Sequence, residues 1–215
     1  MRISDKTKLQ RGMGTGEGAC YKPFITTHEF NSTGTTSVIK DWKTGRQVHC
    51  LSQGEALWYY ILRWNDNNID IREQYPLDAE MTNRIALACG IKHPGGRKHI
   101  MTTDFLVTEA DGTLHAYSVK VSPRLTKRQL EKLCVEKMYW LLKNCKFDML
   151  FKTDVNKVLA ANIRIVTEFY DSKRVFDKIS AIKHKVAIKE YILDLNHEII
   201  TDKLLQQTLM EYSHE

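Results

Sequence analysis

Residues 100–107 (IMTTDFLV) and 113–121 (TLHAYSVKV) are both β-favouring, and Glu109-Ala110-Asp111-Gly112 between them carries an Asp-Gly pair. That pairing marks a hairpin, and no other stretch constrains the fold so strongly. Before the hairpin, residues 52–65 (SQGEALWYYILRWN) open at Ser52 and set Leu57, Tyr60, Ile61 and Trp64 on one helical stripe. Residues 69–77 (IDIREQYPL) predict a strand ended by Pro76, and residues 81–91 (MTNRIALACGI) a shorter helix closing at Gly90. After the hairpin, residues 126–144 predict an amphipathic helix with Leu130, Leu133, Cys134, Met138, Leu141 and Leu142 inward. Residues 146–153 (KFDMLFKT) read as a buried strand. The pattern predicts an α/β fold, one mixed sheet flanked by helices over residues 40–153.

The flanks differ in character. Gly12, Gly14, Gly16 and Gly18 form a G-x-G-x-G run, but no strand precedes it and no G-K-[ST] follows, so a nucleotide site is disfavoured. The expectation for residues 1–22 is a flexible arm whose Arg11 can touch a nucleic-acid backbone. Residues 23–48 predict two or three short strands, which with the core make a domain over 23–153. Residues 154–215 are Lys-rich, lack Pro and follow a helical pattern, as expected of a small docking subdomain.

Composition narrows the partners. The five cysteines are scattered without a C-x-x-C pair, which speaks against a disulfide framework or zinc ribbon. No apolar run reaches the roughly 18–20 residues of a membrane span, and no signal-peptide core opens the chain, so a soluble cytoplasmic protein is expected. A net charge of +6 points weakly toward a polyanion.

Metal-assisted phosphodiester hydrolysis needs carboxylates to hold Mg²⁺, an activated water and positive charge near the phosphate. An acid on one hairpin strand, a lysine on its partner and a glutamate on the preceding helix can supply these. Asp104, Ser118-Val119-Lys120 and Glu55 stand in that order. Each has a plainer reading: Glu55 caps its helix as the fourth residue of S-x-x-E, Asp104 sits on an edge strand, and Lys120 extends to solvent. Glu136 can approach the same cluster or pair with Lys132 on a helix surface. An ideal two-residue turn at Asp111-Gly112 sets Asp104 opposite Val119, facing away from Lys120. Either the loop carries an extra residue, or the metal takes the Val119 carbonyl.

Several stretches carry a resemblance. They are Trp42-Lys43-Thr44-Gly45-Arg46, Leu51-Ser52-x-x-Glu55, Asp70–Leu77 (DIREQYPL) and Gly90-Ile91-Lys92-His93-Pro94. Thr103-Asp104-Phe105-Leu106-Val107, Val119-Lys120 and Leu130-Glu131-Lys132-Leu133, with Glu136 and Tyr139-Trp140, continue them. Over residues 12–165 the chain resembles the TnsA family, endonuclease subunits of heteromeric cut-and-paste transposases. The resemblance implies a restriction-endonuclease-like PD-(D/E)XK fold and Mg²⁺-dependent cleavage, with Mn²⁺ able to substitute, of the 5′ strands at transposon ends. It implies as partners transposon-end DNA, the DDE recombinase TnsB and the AAA+ ATPase TnsC. It makes Glu55 and Asp104 metal ligands beside the Val119 carbonyl, Lys120 the active-site lysine and Glu136 a supporting acid.

Two features depart from the family. Ser118 stands where an acid or amide is usual, which leaves metal affinity to Asp104, Glu55 and a carbonyl. The C-terminal part is shorter than the family's winged-helix-like region. The alternatives are a weakened nuclease-fold module bridging DNA, recombinase and ATPase, and an unrelated nuclease of the same fold acting alone. Lys92, Arg97, Lys98, Arg124, Lys127 and Arg128 are the candidate phosphate contacts. Lys183, Lys185 and Lys189 are open to the ATPase or to DNA.

Overall fold

The structure is a computed structural model that describes residues 3–29, 35–96 and 98–212. It contains two compact units, Met1–Ala56 with Asn65–Val155, and Leu57–Trp64 with Asn156–Glu215.

The first unit is built on a four-stranded mixed sheet of β3 (Asn68–Pro76), β4 (Thr102–Glu109), β5 (Leu114–Lys120) and β6 (Lys146–Phe151), in that order. The first three strands run antiparallel and β6 lies parallel to β5. A parallel return requires a crossover, supplied by α4 (Lys127–Leu142), while α3 (Ala79–Ala88) links β3 to β4. Ile85 and Ala86 of α3 and Val135, Tyr139 and Trp140 of α4 share one core with Leu106 and Ala116 of the sheet. The mixed sheet flanked by helices is thus as expected.

The hairpin loop holds one residue more than the ideal turn. Glu109 N–H donates to Thr113 O, Gly112 N–H returns to Glu109 O, and Gly112 takes φ +84°. The pairs Phe105–Tyr117 and Leu106–Ala116 follow, and one further step sets Asp104 level with Ser118 instead of Val119.

The helix α4 corrects its predicted inward face. Of the six residues assigned there only Leu133 is buried, whereas Leu130, Cys134, Met138, Leu141 and Leu142 are exposed. The packed face carries Leu133, Val135, Glu136, Tyr139 and Trp140. Its acid and aromatic polar atoms disguise it in a count of apolar residues.

The N-terminal segment is no free arm. It holds α1 (Asp5–Gln10), a buried Lys8 paired with Glu29 at 2.6 Å, and a Thr15–Lys22 bridge. Gly14 lies so near the Pro76 ring that a Cβ would collide with it. This segment covers the free edge of β3: Tyr21 OH donates to Glu73 O, Phe24 N–H to Gln74 O and Gly18 N–H to the Asp70 carboxylate. Residues 24–29 form a bend and a 3-10 turn where a strand was expected; β1 (Ser37–Lys40) and β2 (Gln47–Cys50) pair as a hairpin.

That hairpin docks through a buried ion pair. Arg46 makes two 2.7 Å bonds to Glu73, which is wholly buried, and a third to Ile71 O; His49 N–H also donates to Glu73.

In the second unit, α5 (Lys157–Thr167), α6 (Lys178–Ala187) and α7 (Asp202–Tyr212) accompany the Leu57–Trp64 part of α2 (Gln53–Trp64). Asn162, fully buried, donates to Leu195 O and Glu198 O and accepts from Ile200 N–H, tying down the connection before α7. All five cysteines are free thiols. Among the described residues no helix is long and apolar enough to cross a membrane.

Arg46→Ala leaves Glu73 buried without its counter-charge. A loss of about 3–5 kcal/mol is expected in equilibrium urea unfolding, and a loss under 1 kcal/mol would show that the hairpin docks by other means.

Candidate active site

At the end of the β4–β5 ladder a carboxylate replaces a carbonyl: Val119 N–H donates to Asp104 Oδ2 at 2.6 Å. The extra loop residue puts Asp104, Ser118 and Lys120 within reach of one another. Lys120 Nζ donates to Ser118 Oγ at 2.6 Å and to Val119 O at 2.9 Å, and lies 3.5 Å from Asp104 Oδ2. Burial lowers the Lys120 pKa, but Asp104, Glu136 and Glu55 together raise it above the ordinary lysine value. It is therefore a fixed cation and a poor base.

Behind Ser118 lies Glu136, 1% exposed. Ser118 Oγ donates to its Oε2 at 3.2 Å and Thr103 Oγ1 to its Oε1 at 2.8 Å, while Trp140 Nε1 donates to Thr103. The surface pairing of Glu136 with Lys132 is replaced by this buried chain. Burial first, then the Asp104 charge, raise the Glu136 pKa to about 7.

Glu55 sits in the first turn of α2, where Ser52 Oγ accepts its N–H and donates back to Oε1 at 2.8 Å. The carboxylate reaches past the cap to Leu51 N–H, so the Ser52 hydroxyl caps the helix while the reciprocal bond of a capping box, to Ser52 N–H, is replaced by one to the residue before it. It also accepts from Gln74 Nε2 at 3.2 Å. Burial and the nearby Asp104 charge push Glu55 up to about 8.

Glu55, Asp104, Val119 and Lys120 line one cleft of about 710 Å³ together with Gln74, Thr102, His99, Arg124, Lys132 and Lys152. Among the described residues no group of three or more His, Cys, Asp or Glu side chains is placed to hold a metal. What the site offers is two carboxylates and a carbonyl, all hard oxygen donors. This fits Mg²⁺, which usually binds through one or two carboxylates and keeps several waters. The mutual repulsion of Glu55 and Asp104 is what a bound dication would relieve.

Of the candidate phosphate contacts, Arg124 lines this cleft. Lys92 lines a separate groove along α3, and its carbonyl accepts from Arg128, which also pairs with Glu131. Lys98 and Lys127 are exposed but are not cleft-lining residues, and Arg97 lies outside the described residues. Lys132 and Lys152 were missed as cleft cations. The signal for Lys152 is its place after β6, where its N–H bonds to Lys120 O. In the second unit Lys183 pairs with Asp202, Lys185 with Glu190, and Lys189 lies over Trp64.

A mixed sheet with an acid and a lysine converging at the end of its hairpin, and a helix glutamate on the same cleft, defines a nuclease-like α/β core. Residues 65–151 match the family model described as TnsA-like endonuclease N terminal. The chain is 37% identical over 161 residues to the transposon Tn7 transposition protein TnsA of Escherichia coli, covering 73% of this chain and 59% of that protein. It thus spans about three fifths of that relative's length. The chain is a TnsA-type protein.

A carboxyl whose pKa is raised on folding holds a proton that the unfolded chain releases. Glu136 therefore makes the fold less stable as pH rises from about 4.5 to about 7. Melting temperatures measured from pH 5 to 8 are expected to fall less steeply for Glu136→Gln than for wild type. An identical slope would mean that Glu136 stays ionised throughout.

Proposed function

We propose that this chain is the endonuclease subunit of a cut-and-paste DNA transposase, cleaving the 5′ strands at transposon ends with Mg²⁺. The observation that carries the reading is the convergence of Asp104, Lys120 and Glu55 on one cation-rimmed cleft of a TnsA-type chain. Its partners in this reading are transposon-end DNA, a DDE recombinase of the TnsB kind and an AAA+ ATPase of the TnsC kind, in the bacterial cytoplasm.

Asp104 and Glu55 would hold the ion, with the Val119 carbonyl as a third oxygen. When bound, Mg²⁺ supplies Lewis-acid stabilisation of the attacked phosphate and acidifies a water. Lys120, held charged by its acidic neighbours, stabilises negative charge on the phosphate. Its Nζ now donates to Val119 O and Ser118 Oγ and lies near Asp104, so it must release the carbonyl for an ion to use that oxygen. Ser118, a poor metal ligand, links Lys120 to Glu136 by accepting from one and donating to the other. Arg124, Lys132 and Lys152 neutralise backbone phosphates, while the recombinase supplies recognition of the ends.

In a reconstitution with recombinase, ATPase, transposon DNA and Mg²⁺, wild type is expected to cut the 5′ strand. Asp104→Ala should abolish that cut while 3′ cleavage and assembly persist. Full 5′ cleavage by Asp104→Ala would sink the assignment. Wild type giving 3′ cleavage alone would favour the bridging module, for which the Ser118 substitution is the motive, and robust cutting by the isolated chain would favour a stand-alone nuclease.

Protons compete with the ion at Glu55, whose pKa is about 8. The Mg²⁺ concentration giving half-maximal 5′ cleavage is expected to fall between pH 6.5 and 8.5. A requirement that does not change with pH would remove Glu55 from the ion's ligands.

A further inference from the structure

Gln74 stands inside β3, two residues before its end, with φ +49°, a left-handed backbone that a side chain other than Gly or Asn rarely adopts. The pairs Glu73–Phe105 and Tyr75–Thr103 flank it, so it lies across the ladder from Asp104. The turn of backbone breaks the alternation of the strand. Glu73 meets Arg46 and His49, whereas Tyr75, two residues on, packs on Trp140 of α4. In an unbroken strand both would share a face.

Glycine would satisfy that backbone with less strain. The chain instead carries a long amide, 2% exposed, and uses both of its ends. Thr102 Oγ1 donates to Gln74 Oε1 at 3.2 Å, which fixes the amide's orientation, and Nε2 donates to Glu55 Oε2 at 3.2 Å. Oε2 also takes the Leu51 N–H, so its two lone pairs are filled. Oε1 accepts from Ser52 alone among the described hydrogen bonds and keeps one lone pair.

We infer that Gln74 is a positioning residue for Glu55: its amide, oriented by Thr102, occupies Oε2 and leaves Oε1 as the single oxygen offered to a divalent cation. The inference rests on the nuclease reading and adds to it the mode of ligation. It ties the left-handed backbone to the site, since the residue that carries it spans from the strand opposite Asp104 to the first turn of α2.

The test compares full-length wild type, Gln74→Gly and Gln74→Ala, both of which lose the amide, while Gly also relaxes the backbone. Mn²⁺ titrations followed by electron paramagnetic resonance, with duplex DNA present, report ion affinity without turnover. Both variants are expected to bind Mn²⁺ about tenfold more weakly, as outer-shell partners of metal ligands typically do. The Mg²⁺ needed for half-maximal 5′ cleavage should rise by the same factor, with the rate at saturating Mg²⁺ preserved. Gln74→Gly should melt no lower than Gln74→Ala. Wild-type Mn²⁺ affinity in both variants overturns the inference, and so does wild-type affinity in Gln74→Gly alone, which would assign the residue a backbone role. Asp104→Asn separates the two levels of claim. If it loses Mn²⁺ while the Gln74 variants do not, the positioning role alone fails; if it binds Mn²⁺ like wild type, the nuclease reading fails and takes the inference with it.

Discussion

Where β4 and β5 part, Val119 N–H is satisfied by the Asp104 carboxylate at 2.6 Å, and the site follows from that substitution. A strand amide left without a partner in a sheet interior would be costly, so the acid that completes the ladder is held firmly. Because β5 alternates, fixing Asp104 beside Val119 N–H brings Ser118 and Lys120 to it together. The placement is owed to the residue count of the loop: one fewer between Glu109 and Thr113 would move Asp104 to the wrong side of the pleat.

The legible parts of the fold were those in which local chemistry and tertiary packing agree. The Asp-Gly turn, the strand ending at Pro76 and the Ser52 cap each describe themselves within a few residues. The packed face of α4 was not legible because Glu136 and Trp140 are buried through partners on β4 and β5, and Tyr139 through the Asp78 N–H that opens α3, none of which a one-dimensional pattern contains. The glycines of residues 12–18 misled in the same way. Two of them answer to close packing, Gly14 against Pro76 and Gly16 against the Cys20 carbonyl, more than to any freedom of motion.

For the site, sequence order named Glu55, Asp104 and Lys120 but left open whether Glu55 was a cap or a ligand. In the structure the Glu55 carboxylate accepts from Ser52 and Leu51 and lines one cleft with Asp104, and with four lone-pair sites it is not used up by those two bonds. Gln74 and Lys152 escaped notice because neither belongs to a spacing rule. One acts through a backbone turned out of the pleat, the other through the strand that happens to lie beside Lys120.

The cover on β3 also orders events in time. Gly18 and Tyr21 bond to Asp70 and Glu73 across 52 residues of chain. In synthesis from the N-terminus the cover leaves the ribosome well before the strand it protects. When β3 emerges, the groups that would satisfy its outward carbonyls are already present on the same molecule, so intramolecular capture precedes the approach of a neighbouring chain's strand. This edge of the sheet is thus guarded by the order in which the polypeptide is made.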